Sequence, residues 1–195
     1  MWVLIDNYDS FSYILYDYLL RLNSSVVVYK SDEISLDELI ALAPSRLILS
    51  PGPKSPKDAI FANLVVSHFL GKIPVLGVCL GHQILGLILG MDVIKAPLPM
   101  HGKMVVCDTV AKHELLTDIP ANPLVMRYHS LIVSKWEKHS GITPLLVSHS
   151  DKLLMMFVHE DFKVLGIQFH PESVGTECGL RYLVNWDNWL SCYGL

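Results

Sequence analysis

IPVLGVCLGHQILGLI, from Ile73 to Ile88, decides the fold, because an apolar strand pattern runs directly into a helix-forming pattern. The strand, from Pro74 to Val78, ends at Cys79, which lies between Gly77 and Gly81. Glycine on either side removes the side chains that would clash in a sharp strand-to-helix corner. The free N–H groups and the dipole at the helix N-terminus favour a thiolate and an adjacent oxyanion. The pattern therefore predicts that Cys79 is presented on a tight turn, in the geometry of a nucleophile elbow.

Short apolar runs alternate with helical patterns in the N-terminal half of the chain. The predicted strands are Trp2 to Ile5, Val26 to Tyr29, Arg46 to Leu49 and Val75 to Val78. One helical pattern follows Ser10, which is the expected N-cap, and a second begins near Asp58. Strands that alternate with helices predict βαβ units and a parallel sheet.

After Gly90 the strand-like runs follow one another with turns between them. They are Val93 to Ala96, Met104 to Cys107, Leu124 to Tyr128, Leu145 to His149, Leu153 to His159 and Val164 to Phe169. Consecutive strands predict antiparallel additions to the sheet, including a hairpin around Ser150 and Asp151, before a last helix from Gly179 to Leu190. We therefore predict one domain over residues 1–195. Its fold class is α/β, with a mostly parallel central sheet flanked by helices and added antiparallel strands in the C-terminal half.

The composition excludes several classes of protein. With 195 residues, 51% hydrophobic and 17% charged, the chain fits a membrane protein or an α/β protein whose strands are covered on both faces. No apolar run reaches the ~20 residues of a membrane helix, and the first residues lack the basic region of a signal peptide. A net charge of −4 without a basic block argues against nucleic-acid and membrane-surface partners. Cysteines without CxxC pairing predict free thiols in a reducing cytoplasm.

Polar clusters follow four predicted strands. These clusters are Asp6 to Ser10, Ser50 to Pro56, Cys79 to Gln83 and His170 to Ser173. In an open α/β sheet, ligand sites lie at the carboxyl ends of the parallel strands. We therefore expect the four clusters to converge on one site.

Cys79, His170 and Glu172 are the candidate catalytic residues. A cysteine nucleophile needs a base, and the base needs a third group that fixes its tautomer. Residues i and i+2 of an extended segment project to the same side, so Glu172 can hold one imidazole nitrogen of His170 while the other faces Cys79. Pro171 cannot donate a ladder hydrogen bond, which places the pair at a strand end.

Each candidate also has a purely structural interpretation. A lone buried cysteine is more often an inert small hydrophobe than a nucleophile. Histidine and cysteine also bind metals, but HxxxH, HxH and CxxC spacings are missing, so no metal is expected. The segment Ser50-Pro51-Gly52-Pro53 is either a proline-rich turn or a rigid loop. In the second case, the N–H of Gly52 would join that of Leu80 in an oxyanion hole.

Six ordered motifs carry a resemblance to a known family. They are DNYDSF at Asp6 to Phe11, LSPGP at Leu49 to Pro53, GVCLGHQ at Gly77 to Gln83, HGK at His101 to Lys103, RYHSL at Arg127 to Leu131 and GIQFHPES at Gly166 to Ser173. Over nearly its whole length the chain resembles the class I, triad-type glutamine amidotransferases, which have a flavodoxin-like fold. Within that family it is similar to the glutaminase subunits of anthranilate synthase and aminodeoxychorismate synthase.

The resemblance implies a catalytic role for three residues. Cys79 would attack the side-chain amide of L-glutamine, and His170 would pass a proton to the leaving ammonia. Glu172 would orient His170. The γ-glutamyl thioester would then be hydrolysed to glutamate, without a cofactor. The ammonia would pass to a separate, chorismate-using synthase subunit.

The same resemblance implies a set of binding residues. The backbone N–H groups of Gly52 and Leu80 would hold the oxyanion of the tetrahedral intermediate. The amino-acid head group of glutamine would be held by Gln83, His129, Ser130 and Leu131. Selectivity against other amides would be set at this head group.

Four residues depart from the family pattern, namely Ile14, Lys54, Ser55 and Met104. They leave the candidate triad intact, but by resemblance they lie near the ligand mouth or the partner. The choice between anthranilate and aminodeoxychorismate as the partner's product therefore stays open. Two other functions also stay open, a stand-alone cysteine hydrolase of γ-glutamyl amides and a non-catalytic interaction subunit.

Overall fold

The computed structural model describes residues 1–195 and contains eleven strands and five α-helices. The strands are β1 (Trp2–Asp6), β2 (Val26–Lys30), β3 (Arg46–Leu49), β4 (Val75–Val78), β5 (Asp92–Lys95), β6 (Lys103–Thr109), β7 (Leu124–Arg127), β8 (Leu131–Ser134), β9 (Ile142–Ser148), β10 (Leu154–His159) and β11 (Val164–Ile167). The helices are α1 (Ser12–Leu20), α2 (Leu36–Ala41), α3 (Ile60–Phe69), α4 (Leu80–Ile88) and α5 (Gly179–Ser191). None of the helices is long and apolar enough to cross a membrane.

Nine of the strands form one mixed sheet in the order β2-β1-β3-β4-β11-β10-β9-β6-β7. The first five strands in this order are parallel, and the remaining pairs are antiparallel. The α/β prediction and the hairpin around Ser150 and Asp151 are confirmed. Strand β11 is antiparallel to β10, as predicted, but it is parallel to its other neighbour, β4. Strand β5 is also antiparallel to its partner β8, but the two form a separate sheet instead of adding to the main one.

Both faces of the parallel part of the sheet are buried, which explains its nearly continuous apolar strands. Successive residues of β1 point to opposite faces, so Trp2 and Leu4 belong to one core cluster and Val3 and Ile5 to the other. Helices α1 and α5 cover the first face. Helices α2, α3 and α4 cover the second. The central strands are therefore fixed from both sides.

Strand register brings the four predicted clusters together. Ile5 pairs with Leu49, Leu49 pairs with Gly77, and Gly77 pairs with Gly166. The carboxyl ends of β1, β3, β4 and β11 therefore form one continuous edge. Each of the four polar clusters begins at this edge.

Helix α1 begins at Ser12 rather than directly after Ser10, and the expected serine cap is not formed. Two aspartate side chains hold the start of the helix instead. Asp9 Oδ2 accepts from the N–H of Phe11 at 2.7 Å, and Asp6 Oδ1 accepts from Ser12 Oγ at 2.5 Å. The segment after β1 is therefore fixed by its own carboxylates.

Candidate active site

Cys79 lies on the turn between β4 and α4 with φ 51° and ψ −98°, a conformation that side-chain-bearing residues rarely adopt. The turn needs both flanking glycines. A Cβ on Gly77 would lie 2.4 Å from the carbonyl carbon of Gly81, and a Cβ on Gly81 would lie 2.6 Å from the carbonyl oxygen of Leu49. The N–H of Cys79 donates to the carbonyl of Ile167 at 2.8 Å, which ties the turn to β11. The predicted elbow is thus observed, with its strain held by close backbone packing.

His170 and Glu172 lie just beyond the end of β11 and are almost fully buried. His170 Nδ1 and Glu172 Oε1 are 2.6 Å apart, as expected for residues two apart in an extended segment. Since the carboxylate accepts, Nδ1 carries a proton. No protein atom is hydrogen-bonded to His170 Nε2, so this nitrogen is left for proton exchange.

The charge on His170 is controlled by its two neighbours. Burial opposes the imidazolium, but Cys79 and Glu172 outweigh burial, and the pKa of His170 is raised well above its ordinary value. The imidazolium form of His170 is therefore favoured. It would supply a proton donor beside the cysteine that the elbow presents.

Two aromatic side chains that were not assigned from the sequence enclose His170. The ring centroid of Tyr128 lies 5.0 Å from that of His170, and the ring centroid of Phe11 lies 6.1 Å from it, both in edge-on geometry. Phe11 and Tyr128 also contact each other, with centroids 5.7 Å apart. Both belong to motifs quoted for the resemblance, DNYDSF and RYHSL, which is the signal that could have found them. Their contacts contribute to the burial of the imidazole.

Gly52 and Leu80 lie together beside Cys79, where the oxyanion hole was expected. A Cβ on Gly52 would lie 2.9 Å from Leu80 Cδ2, so the two residues are in direct contact. No backbone carbonyl accepts from the N–H of Gly52, and the N–H of Leu80 belongs to the first turn of α4, which has no helical acceptor. Asn7 fixes the Gly52 loop, because its Nδ2 donates to the carbonyl of Ser50 at 3.1 Å.

One cavity of about 190 Å³ contains the predicted substrate-binding residues. It is lined by Gly52, Pro53, Lys54, Cys79, Leu80, Gln83, Tyr128, His129, Ser130 and Leu131. The structure therefore brings every predicted oxyanion and binding residue to the mouth of the elbow. His170 and Glu172 are buried and do not line this cavity, and the ring of His170 lies against that of Tyr128.

Strand β7 joins the cavity wall to the candidate catalytic histidine, His170. The N–H of His170 donates to the carbonyl of Met126 at 3.1 Å. Thr176 Oγ1 donates to the carbonyl of His170 at 2.6 Å and accepts from the N–H of Met126 at 3.1 Å. The backbone of His170 is thus tied to β7, the strand that leads into the cavity wall.

The departures from the family pattern have different locations. Lys54 lines the cavity with a positive φ of 70°. Ser55 has a local structural role, because its Oγ donates to Asp58 Oδ2 at 2.7 Å in a turn of 3₁₀-helix. Ile14 and Met104 are exposed. No group of three or more histidine, cysteine, aspartate or glutamate side chains lies together as a candidate metal site.

The geometry is that of a cysteine-dependent acyl-transfer site: a strained nucleophile, a histidine–carboxylate pair and two free N–H groups. The family model for class-I glutamine amidotransferases matches residues 3–188. The chain therefore belongs to the class-I glutamine amidotransferase family.

Relatives with assigned names match over nearly the whole chain. An aminodeoxychorismate/anthranilate synthase component 2 from Bacillus subtilis is 42% identical over 186 residues, which cover 95% of this chain and 94% of that protein. An anthranilate synthase component 2 from Pseudomonas aeruginosa is 42% identical, covering 95% of this chain and 94% of that protein. An aminodeoxychorismate synthase component 2 from Serratia marcescens is 40% identical, covering 96% of this chain and 100% of that protein.

Solved structures share the fold at lower identity. A candidate GMP synthase component from Thermoplasma acidophilum has a TM-score of 0.85 and 21% identity, covering 99% of this chain and 94% of that one. A glutamine amidotransferase from Thermotoga maritima has a TM-score of 0.71 and 19% identity, covering 100% of this chain and 85% of that one. These likenesses support the fold.

Proposed function

We propose that the chain is the glutaminase subunit of a two-component synthase that aminates chorismate. It would hydrolyse L-glutamine to glutamate through a thioester on Cys79 and deliver ammonia to a synthase subunit. The observation that carries this proposal is the buried 2.6 Å pair of His170 and Glu172 beside a cysteine on a strained elbow. The names of three relatives that are 40–42% identical support the choice of synthase.

In the first half of the reaction, Cys79 Sγ attacks the side-chain carbonyl carbon of glutamine. The N–H groups of Gly52 and Leu80 stabilise the oxyanion that forms. His170, charged and oriented by Glu172, donates its Nε2 proton to the departing nitrogen. The carbon–nitrogen bond then breaks, and ammonia leaves behind a γ-glutamyl thioester.

In the second half, His170 acts as a base. It takes a proton from water as the water oxygen attacks the thioester carbonyl. The same two N–H groups hold the second oxyanion. Collapse of this intermediate breaks the carbon–sulfur bond, restores Cys79 and His170 to their starting charges and releases the γ-carboxylic acid. The acid then loses its proton to water as glutamate, so the protons balance over the cycle.

Substrate binding would use the part of the cavity lining that lies beside the elbow. Gln83 and the segment from His129 to Leu131 supply amide and carbonyl groups that suit an α-ammonium and an α-carboxylate. Their distance along the cavity from Cys79 would select a side chain of glutamine's length.

A synthase partner would dock over the cavity mouth. Exposed apolar side chains lie on the segments that carry the site: Tyr8 precedes Phe11, Met104 follows the HGK motif, and Val174 follows Glu172. Such side chains are typical of a protein interface. Covering the mouth would keep ammonia away from bulk water, where protonation would destroy its nucleophilicity.

We propose that the domain comprises residues 1–195 and works in a reducing cytoplasm, because Cys79 must remain a thiol or thiolate.

The partner's product is tested by reconstitution. The native partner is captured with the purified chain, and the product made from chorismate and glutamine is identified by mass spectrometry. Glutamate release with and without the partner is measured in parallel. We expect weak glutaminase activity alone, a rise with the partner, and anthranilate, aminodeoxychorismate or both as products.

Cys79→Ala provides the control for this experiment. The variant complex should lose synthesis from glutamine and keep synthesis from free ammonia. A wild-type complex that uses ammonia but never glutamine would contradict the proposal. High turnover without any partner would favour the stand-alone hydrolase instead.

A further inference from the structure

Arg127, the last residue of β7, is a fully buried arginine behind the cavity wall. Its Nε donates to His129 Nε2 at 3.0 Å, and its Nη1 donates to both carboxylate oxygens of Asp151 at 3.1 and 3.2 Å. Asp151 lies in the turn between β9 and β10 and also accepts from Ser148 Oγ. A charge pair from two distant parts of the chain therefore holds a residue of the cavity.

The arginine determines which nitrogen of His129 carries the proton. Arginine has only donors, so His129 Nε2 must be an acceptor. The proton of the neutral ring is then on Nδ1, which donates to the carbonyl of Leu131 at 2.9 Å. The ring stays neutral, because burial and the Arg127 cation lower the pKa of His129 to about 3.

The carbonyl of Leu131 connects His129 to Gln83. The same carbonyl accepts from Gln83 Nε2 at 3.0 Å, and Gln83 Nε2 also donates to Gln168 Oε1 at 3.2 Å. A carbonyl cannot donate, so the amide of Gln83 must place its nitrogen on this side. Its Oε1, to which no protein group donates, is left for a donor in the cavity.

We propose that Arg127, held by Asp151, is a positioning residue that sets the Nδ1–H tautomer of His129. This N–H holds the Leu131 carbonyl in place as the acceptor for Gln83 Nε2, which leaves Gln83 Oε1 to accept from the α-ammonium of glutamine. This inference rests on the proposed function for the identity of the substrate. The tautomer and the amide orientation are properties of the resting protein. Arg127 itself does not line the cavity.

The chain contains a matched ion pair far from the site. Arg46, at the start of β3, donates to Asp187 of α5 at 2.5 Å and is 5% exposed. The start of β3 is the end of the sheet opposite to the cavity. A substitution of Arg46 therefore reproduces the loss of a buried ion pair without touching the site.

The test combines spectroscopy with kinetics. Long-range ¹H–¹⁵N spectra of the uniformly ¹⁵N-labelled chain report the imidazole tautomer, and the His129 signals are identified by their loss in His129→Gln. Arg127→Lys keeps the charge beside Asp151 but cannot serve both Asp151 and His129, since it has a single ammonium group. Arg127→Met combined with Asp151→Leu removes the pair without leaving a buried charge. Arg46→Lys, and Arg46→Met combined with Asp187→Leu, are the controls.

We expect Nδ1–H on His129 in the wild type and a shift towards Nε2–H in both Arg127 variants. The KM for glutamine should rise at least about ten-fold with kcat within about two-fold, as for a lost hydrogen bond in binding. The controls should keep the wild-type KM. Nε2–H on His129 in the wild type would overturn the proposal even if a variant failed to fold, as would an equal rise of KM in the controls. Absence of glutaminase activity in the wild-type complex would instead contradict the proposed function, and the tautomer measurement would still stand.

Discussion

Replacing Cys79 by glycine should leave the protein more stable than replacing it by alanine. At most positions glycine is the worse residue by about 0.5–1 kcal/mol, because it loses more backbone entropy on folding. At φ 51° and ψ −98°, however, any residue with a Cβ pays backbone strain of about 1–3 kcal/mol. The strain exceeds the entropy term, so we expect Cys79→Gly to exceed Cys79→Ala in unfolding free energy by about 1 kcal/mol.

The comparison is made by urea unfolding of both variants, with the midpoint and the m-value fitted separately. Cys107 provides the control, because it is fully buried in β6 and has no positive φ. At that position alanine should be more stable than glycine. If alanine is favoured over glycine at position 79 by as much as at position 107, the elbow is not strained and the expected order is refuted.

Two further predictions concern protonation. Glu172→Gln should lower kcat without abolishing it and should move the alkaline limb of kcat/KM to lower pH, because Glu172 helps to raise the pKa of His170; an unmoved limb in the pH profile would contradict this coupling. Burial lowers the pKa of both His82 and His129 to about 3, well below the ~6.5 of an unfolded chain. Between these two pKa values the unfolded state binds more protons than the folded state, so the free energy of unfolding decreases as the pH is lowered. Urea unfolding should show a loss of roughly 3 kcal/mol between pH 6.5 and pH 5. His82→Gln should halve that loss, and an unchanged slope in this variant would show that His82 is not buried neutral.

The candidate catalytic centre could be located from the sequence because most of its parts are local. Glycines around Cys79 define the elbow, and the spacing of His170 and Glu172 defines their contact. Their convergence follows from a general property of parallel sheets. Only the convergence has a long-range requirement, namely that β11 lies parallel to β4.

Strand β11 was harder to assign, because its direction depends on where the chain re-enters the sheet. It returns between β4 and β10, so it is parallel to one neighbour and antiparallel to the other. The sequence feature that indicates its place in the parallel part of the sheet is its uninterrupted apolar run, Val164–Ile167, which is typical of a strand buried on both faces. Strands β5 and β8 have four residues each and leave part of their surface exposed. No hydrophobic pattern in the sequence therefore predicts that they pair with each other in a separate sheet.

Helix α2 has only six residues, but it carries a recognisable signal. Ser35 and Glu38 form a capping box, with the N–H of Glu38 donating to Ser35 Oγ and the N–H of Ser35 donating to Glu38 Oε2. By contrast, the contact of Arg127 with Asp151 joins β7 to the β9–β10 turn. No local pattern predicts it, because it depends on how the two segments pack.

The most direct test of the catalytic assignment is covalent labelling of Cys79 by a diazoketone analogue of glutamine, read by peptide mass spectrometry together with glutamate release from glutamine. Sulfur would displace nitrogen from the protonated reagent and leave a stable thioether. We predict a single adduct on Cys79 in the wild type, loss of glutamate release after labelling, and neither adduct nor glutamate release in Cys79→Ala. Equal glutamate release by the wild type and Cys79→Ala would contradict the assignment of Cys79 as the nucleophile.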